Sequence, residues 1–299
     1  MNSKRMSPTP TTGSMNLRAT VSRLVAVCLV AACFAACFAA GSCSKDVTTK
    51  HKPVDAARIL AYTEVRTISA PGRPSDVAVP LVVAIHGLGD KPESFAGFYR
   101  GLAVPARVVL PAGPTAWGDG YSWFSPGPRD SHRAKGGGSI RDAVEKLARF
   151  IQALRANEPA SGKTIVTGFS QGGILSFSLA VLHPELVGAA LPISGTLTED
   201  LRAYATTHAA RLPEIIAFHG EADPVIPVAT TTLAVDALRR AGATVELHTY
   251  SGIGHHISPQ MRNDYFTALR AAVEAAAGRN RQKHRPVRNR AGVGQASGL

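Results

Sequence analysis

An α/β fold with a mainly parallel central sheet and helices on both faces is what the 299-residue sequence predicts. Three observations predict it. Short apolar runs, mostly β-branched and apolar at consecutive positions, read as strands covered on both faces. These runs alternate with longer stretches of helical periodicity, as βα repetition requires. One of them ends in a Gly-x-Ser-x-Gly turn that opens directly into a helical pattern.

The elements follow in order. Residues 56–70 read as an additional strand or hairpin at the sheet edge. Strands are expected at Pro80–His86, Ala106–Leu110, Thr164–Gly168, Gly188–Ile193, Glu214–His219 and Thr244–Tyr250. Between and after them, helices are expected at Pro92–Leu102, Ile140–Ala156, Gln171–Leu182, Thr198–Ala209, Thr230–Ala241 and Pro259–Ala276. Residues 111–138 break the rhythm as a long loop holding both tryptophans. Leaving Trp117, Tyr121, Trp123 and Phe124 in water is costly, so this loop reads as a pocket wall.

Composition sets the limits of this domain. Residues 1–53 carry seven Lys/Arg and one acid, residues 278–299 carry six and none, and residues 54–277 hold 20 of each sign. The net charge of +12 therefore belongs to the two ends. A nucleic-acid-binding domain would carry that field on its folded surface, so no nucleic-acid partner is expected. The domain is expected over 55–277, followed by a basic, disordered tail at 278–299.

All four cysteines lie at Cys28, Cys33, Cys37 and Cys43, which leaves none for a zinc site or disulfide in the body. Residues 24–43 form an apolar run preceded by Arg18 and Arg23 and ending in small residues. That order describes an export signal. The stretch also resembles a bacterial lipoprotein signal, which implies lipidation of Cys43, a signal over 1–43 and a polar tether over 44–54. Val30-Ala31-Ala32-Cys33 matches the lipobox better, but cutting there leaves a second apolar stretch on the mature protein. A cleaved secretory signal without lipid and an uncleaved anchor are the alternatives, and Met15 is an alternative start.

The chemistry centres on Gly168-Phe169-Ser170-Gln171-Gly172-Gly173. A Ser at a strand-to-helix turn is held in a strained conformation with its hydroxyl presented, and flanking glycines admit neighbouring backbone. A hydroxyl needs a base, and the base an orienting acid. Asp223 lies just beyond a strand in HGEADPVIP, with Glu221 as rival. His255 lies beyond the last strand in GIGHH, with His256 as rival. Both sit where loops at the carboxyl ends of strands converge. An oxyanion hole needs two backbone N–H donors. Gln171, after the nucleophile, offers one, and Leu88 in His86-Gly87-Leu88-Gly89-Asp90 the other. That segment lacks the G-x-G-x-x-G spacing of a dinucleotide loop, and no compact metal motif occurs, so no cofactor and no metal are expected. His86, His183, His208, His219 and His248 read as packing, capping or surface residues.

Together HGLGD, GFSQGG, HGEADPVIP and GIGHH resemble the phospholipase/carboxylesterase family of α/β-hydrolases, over roughly residues 80–276. The resemblance implies an α/β-hydrolase core without a large lid domain, acting on ester or thioester bonds. It also implies a Ser170–Asp223–His255 triad, oxyanion donors at Leu88 and Gln171, and a Trp123-Phe124 pair beside the acyl pocket. The sequence departs from the family in its export signal and in the Gly- and charge-rich 129–138 stretch. The expectation is an exported serine carboxylesterase. An exported peptidase or polyester depolymerase on the same triad, and a non-catalytic binding lipoprotein, remain as alternatives.

Overall fold

The computed structural model describes residues 49–50, 55–67, 78–125 and 138–283. The chain divides into Met1–Lys45 and Asp46–Leu299, and every described residue lies in the second unit. The proposed signal, Cys43 and the 129–137 stretch fall outside the described residues.

The strands are β1 (Thr49–Lys50), β2 (Tyr62–Arg66), β3 (Pro80–Ile85), β4 (Arg107–Pro111), β5 (Thr115–Trp117), β6 (Gly120–Ser122), β7 (Ser161–Phe169), β8 (Val187–Ile193), β9 (Glu214–Gly220) and β10 (Val245–Tyr250). The helices are α1 (Pro92–Tyr99), α2 (Ile140–Asn157), α3 (Gln171–Leu182), α4 (Glu199–Thr207), α5 (Val228–Arg240) and α6 (Pro259–Lys283). Eight strands form one sheet in the order β1-β2-β4-β3-β7-β8-β9-β10. From β4 to β10 every pairing is parallel, and only β1 and β2 run antiparallel at one edge. This is the α/β-hydrolase architecture.

The apolar runs are continuous because both faces of the sheet are covered. In β3, Leu81, Val83 and Ile85 join the core with α2 and α3, while Val82 and Ala84 join the core with α1 and α6. All five are fully buried. A one-residue slip of β3 would exchange the two sets, so its register is fixed from both sides.

The structure differs from the sequence reading in four places. The 111–138 stretch is not wholly loop: β5 and β6 pair as a small hairpin around Gly118, whose φ of 56° suits glycine. The 44–54 tether includes β1, whose pairing with β2 extends the sheet by backbone hydrogen bonds that hydropathy does not reveal. Helix α1 stops at Tyr99, short of Leu102, where Gly101 weakens helix propagation. At the other end, α6 continues to Lys283, past the Ala277 boundary drawn from the sequence.

Candidate active site

The turn at Ser170 is built by close backbone approach. Ser170 has φ 57° and ψ −115°, a conformation that costs a non-glycine residue about 1–3 kcal/mol. Its N–H donates to Ile193 O of β8 at 3.0 Å. A Cβ on Gly172 would overlap Ile85 O of β3, and one on Gly173 would overlap Ile193 O of β8. Without side chains there, the start of α3 sinks between β3 and β8. Ser170 is thereby held at the carboxyl rim of the sheet, at the positive end of the α3 dipole.

Asp223 and His255 come to it from the loops after β9 and β10. His255 Nε2 lies 2.9 Å from Ser170 Oγ, and His255 Nδ1 lies 2.7 Å from Asp223 Oδ2. A carboxylate only accepts, so Nδ1 carries the hydrogen and Nε2 faces the hydroxyl as acceptor. The Phe169 ring lies against the imidazole, with centroids 4.9 Å apart. The rivals fall away from this chain: His256 is exposed, and exposed Glu221 accepts from Thr249 Oγ1.

Asp223 Oδ1 accepts from the N–H groups of Val225 at 2.8 Å and Ile226 at 2.9 Å. Burial by itself raises the pKa of this carboxyl. The hydrogen bonds from His255, Ile226 and Val225 outweigh it and hold the pKa below the usual carboxylate value. Asp223 is therefore ionised at neutral pH.

His219, read from sequence as packing or capping, sits behind this acid. Its fully buried ring places Nε2 2.8 Å from Ile226 O and 3.4 Å from Asp223 Oδ2. Both neighbours accept, so Nε2 bears the hydrogen. Thr231 Oγ1 lies 3.1 Å from Nδ1 and 2.7 Å from Gly195 O, so its single hydroxyl hydrogen stands between two acceptors. Burial lowers the His219 pKa and outweighs the opposing pull of Ile226 O and Asp223, leaving the ring neutral. The signal in the sequence is the four-residue spacing between His219, at the end of a strand, and Asp223, just beyond it.

The loop expected to supply the second oxyanion donor lies against Ser170: a Cβ on Gly87 would stand 3.5 Å from Ser170 Cβ. His86 sets the direction of this loop. Its Nε2 accepts from Gly113 N–H at 3.0 Å, so Nδ1 carries the hydrogen and donates to Gly87 O at 2.6 Å. Carbonyl and N–H point in opposite directions across a trans peptide, so fixing Gly87 O also fixes Leu88 N–H. Burial holds the His86 pKa below the ordinary histidine value, which keeps this tautomer neutral. The hairpin closes the loop from outside, with Gly89 N–H donating to Tyr121 O and Tyr121 N–H to Asp90 O.

Trp123 and Phe124, expected beside the acyl pocket, are both buried, at 1% and 8% exposure. Trp123 Nε1 donates to His86 O at 3.1 Å, bracing the loop from behind. The Gln171 side chain is also engaged: Oε1 accepts from Trp123 N–H at 2.9 Å, and Nε2 donates to Phe124 O at 3.1 Å. One residue thus ties the nucleophile turn to the aromatic segment. Among the described residues, no group of three or more His, Cys, Asp or Glu side chains could hold a metal ion.

A parallel sheet with a strained Ser, a His and an Asp in one hydrogen-bonded chain at its carboxyl rim defines the α/β-hydrolase class. The chain belongs to the phospholipase/carboxylesterase family, whose model matches residues 67–272, and it is a carboxylic ester hydrolase. The esterase YpfH of Escherichia coli is 29% identical over 204 residues, covering 64% of this chain and 80% of its own. A rice protein described as a probable inactive carboxylesterase is 32% identical over 198 residues, covering 59% of this chain and 78% of its own. Among solved structures, esterase PE8 superposes with a TM-score of 0.54 at 26% identity, covering 69% of this chain and 99% of its own.

Proposed function

We propose that the chain is an exported serine carboxylesterase, tethered by lipid at Cys43, with Ser170 as nucleophile, His255 as base and Asp223 as orienting acid. The hydrogen-bonded path from Ser170 Oγ through His255 to Asp223, at 2.9 and 2.7 Å, carries this reading. As Ser170 Oγ bonds to the ester carbonyl carbon, its proton passes to His255 Nε2. Asp223 holds Nδ1–H and stabilises the imidazolium. The carbonyl oxygen takes up the negative charge between the N–H groups of Leu88 and Gln171, each worth roughly 3 kcal/mol in the transition state. Collapse breaks the ester C–O bond, and the alcohol leaves with the proton from Nε2. Water then attacks the acyl-serine, gives its proton to Nε2, and frees the acid as Ser170 recovers its hydrogen. The aromatic content of residues 117–124 favours short to medium acyl chains or aromatic acid esters.

The full chain and its Ser170→Ala variant, purified in detergent, would be given nitrophenyl acetate, butyrate and octanoate. Turnover by the parent that disappears in the variant is the expected result. A folded parent no faster than the variant on all three esters would overturn the reading. Export and lipidation have their own test: labelled palmitate should enter the parent and not Cys43→Ser. Label retained in Cys43→Ser and lost in Cys33→Ser would move the anchor.

A further inference from the structure

The amino-terminal rim of the sheet, opposite Ser170, holds a cavity of about 630 Å³, a size ordinary for small-ligand sites. Arg155, Lys163 and Arg211 line it, together with Pro184 and Leu212, and none of its lining residues is acidic. Residues 54–277 carry equal numbers of Lys/Arg and Asp/Glu, so three cations without an acid are a local concentration of charge.

Two of the cations are fixed in place. Arg155, near the end of α2, donates from Nη2 to Gly162 O at 2.9 Å. Its Nη1 is buried and has no hydrogen-bond partner. What Arg155 offers the cavity is its guanidinium charge, which favours an anionic oxygen. Lys163 donates from Nζ to Pro184 O at 2.8 Å, a bond between two residues that line the cavity, and its ammonium has two further hydrogens to offer. Gly188 keeps the floor open beside it, since a Cβ there would stand 3.0 Å from Lys163 Cβ. The neighbouring acid Glu185 is engaged by His183 Nδ1 at 3.1 Å.

We propose that this cavity binds an amphiphilic carboxylate, its head on Arg155, Lys163 and Arg211 and its apolar part along Pro184 and Leu212. The apolar lining argues against a bare inorganic anion, which would leave that surface unused. Strand β7 runs from Ser161 to Phe169, and at about 3.3 Å per residue the rim lies roughly 25 Å from the nucleophile. A covered sheet stands between them, so an acyl chain attached to Ser170 does not reach the cavity. The site stands on its own residues and does not depend on which ester the enzyme cleaves.

Equilibrium dialysis of labelled octanoate against the full chain tests it, with acetate and inorganic phosphate as competitors. Arg155→Gln and the pair Lys163→Gln/Arg211→Gln are the variants. Each should weaken octanoate binding at least tenfold, with unchanged turnover of nitrophenyl butyrate and an unchanged circular dichroism spectrum. The Lys163/Arg211 pair keeps the test decisive if Arg155→Gln fails to fold, because Arg155 also holds Gly162. Octanoate binding undiminished in the folded variants would overturn the proposal. So would phosphate or acetate competing as well as unlabelled octanoate. If the enzyme proved unable to cleave esters while the variants still lost octanoate, the proposed catalytic reading would fail and this one would stand.

Discussion

Ser170 and Asp223 are held by different means. Around Ser170 the restraint is backbone packing: a positive φ, a bond to Ile193 O, and glycines that let α3 press against β3 and β8. Around Asp223 it is side-chain hydrogen bonding: Asp223 on two N–H groups, His219 on Ile226 O, and Thr231 between His219 and Gly195 O. A backbone device is shared with the fold, so damage to it should cost stability. A side-chain device can be altered while the sheet stands, so damage to it should appear in rate. The oxyanion loop is intermediate, since its backbone is aimed by one side chain, His86.

The largest effect tests the Ser170 side directly. Ser170→Ala should lower kcat by about 10⁴-fold or more. It should change stability little, because alanine keeps the same strained φ. Ser170→Gly should be as inactive but about 1 kcal/mol more stable, since glycine accepts a positive φ without penalty. Equal urea midpoints for Ala and Gly would mean that the turn stores no strain. Next, Gly172→Val should destabilise by about 3 kcal/mol or more, because its side chain would overlap Ile85 O. A well-folded, stable Gly172→Val protein would show that α3 can withdraw from β3, contrary to the comparison.

His86→Phe should fall between the two extremes. It removes the donor that holds Gly87 O while keeping an aromatic ring beside Trp123. The expected loss is about 10²-fold in kcat, within the range for a misdirected oxyanion donor, with KM nearly unchanged. A matching rise in KM would instead indicate that the loop binds the ground state. On the acid side, His219→Asn should lower kcat about tenfold and shift the acid limb of its pH profile, with a smaller stability change than Gly172→Val. A pure loss of stability with an unaltered pH profile would reduce His219 to packing.

Much of this was legible in the sequence because the relevant signals are local. The six parallel strands and six helices follow from hydrophobic periodicity, and Ser170, Asp223 and His255 follow from turns that directly succeed strands. The choice between His255 and His256, or between Asp223 and Glu221, depends on which neighbour joins the hydrogen-bonded chain to Ser170 in space. Adjacent loop residues do not encode that. His219 and His86 were hidden for a related reason. A buried histidine bonded to backbone has the same sequence signature whether it braces a core or a catalytic loop. Residues 115–122 read as loop because the β5–β6 hairpin they form is held by backbone bonds to Gly89 and Asp90, distant in sequence, whereas Trp123 and Phe124 lie beyond its strands. Burial of Trp123 and Phe124 was anticipated from the cost of exposing them. That cost does not say which side of the loop they support.

The smallest expected effect joins the two regions. His86 and His219 are each buried, and burial places each pKa below the ordinary value of 6.5. In the unfolded chain both take up a proton as pH falls through about 6.5. In the folded protein they stay neutral until their lower pKa values are reached. The unfolded state therefore binds more protons within that window, and stability must fall as pH drops through it. Urea midpoints at pH 7.5 and pH 5.5 should differ, with the lower midpoint at pH 5.5. His219→Asn should reduce this difference, and so should His86→Phe, because each removes one of the two groups. A variant that reduced the difference alone would assign the whole effect to its own region, whereas equal reductions would show the two sides of the site resisting protonation together.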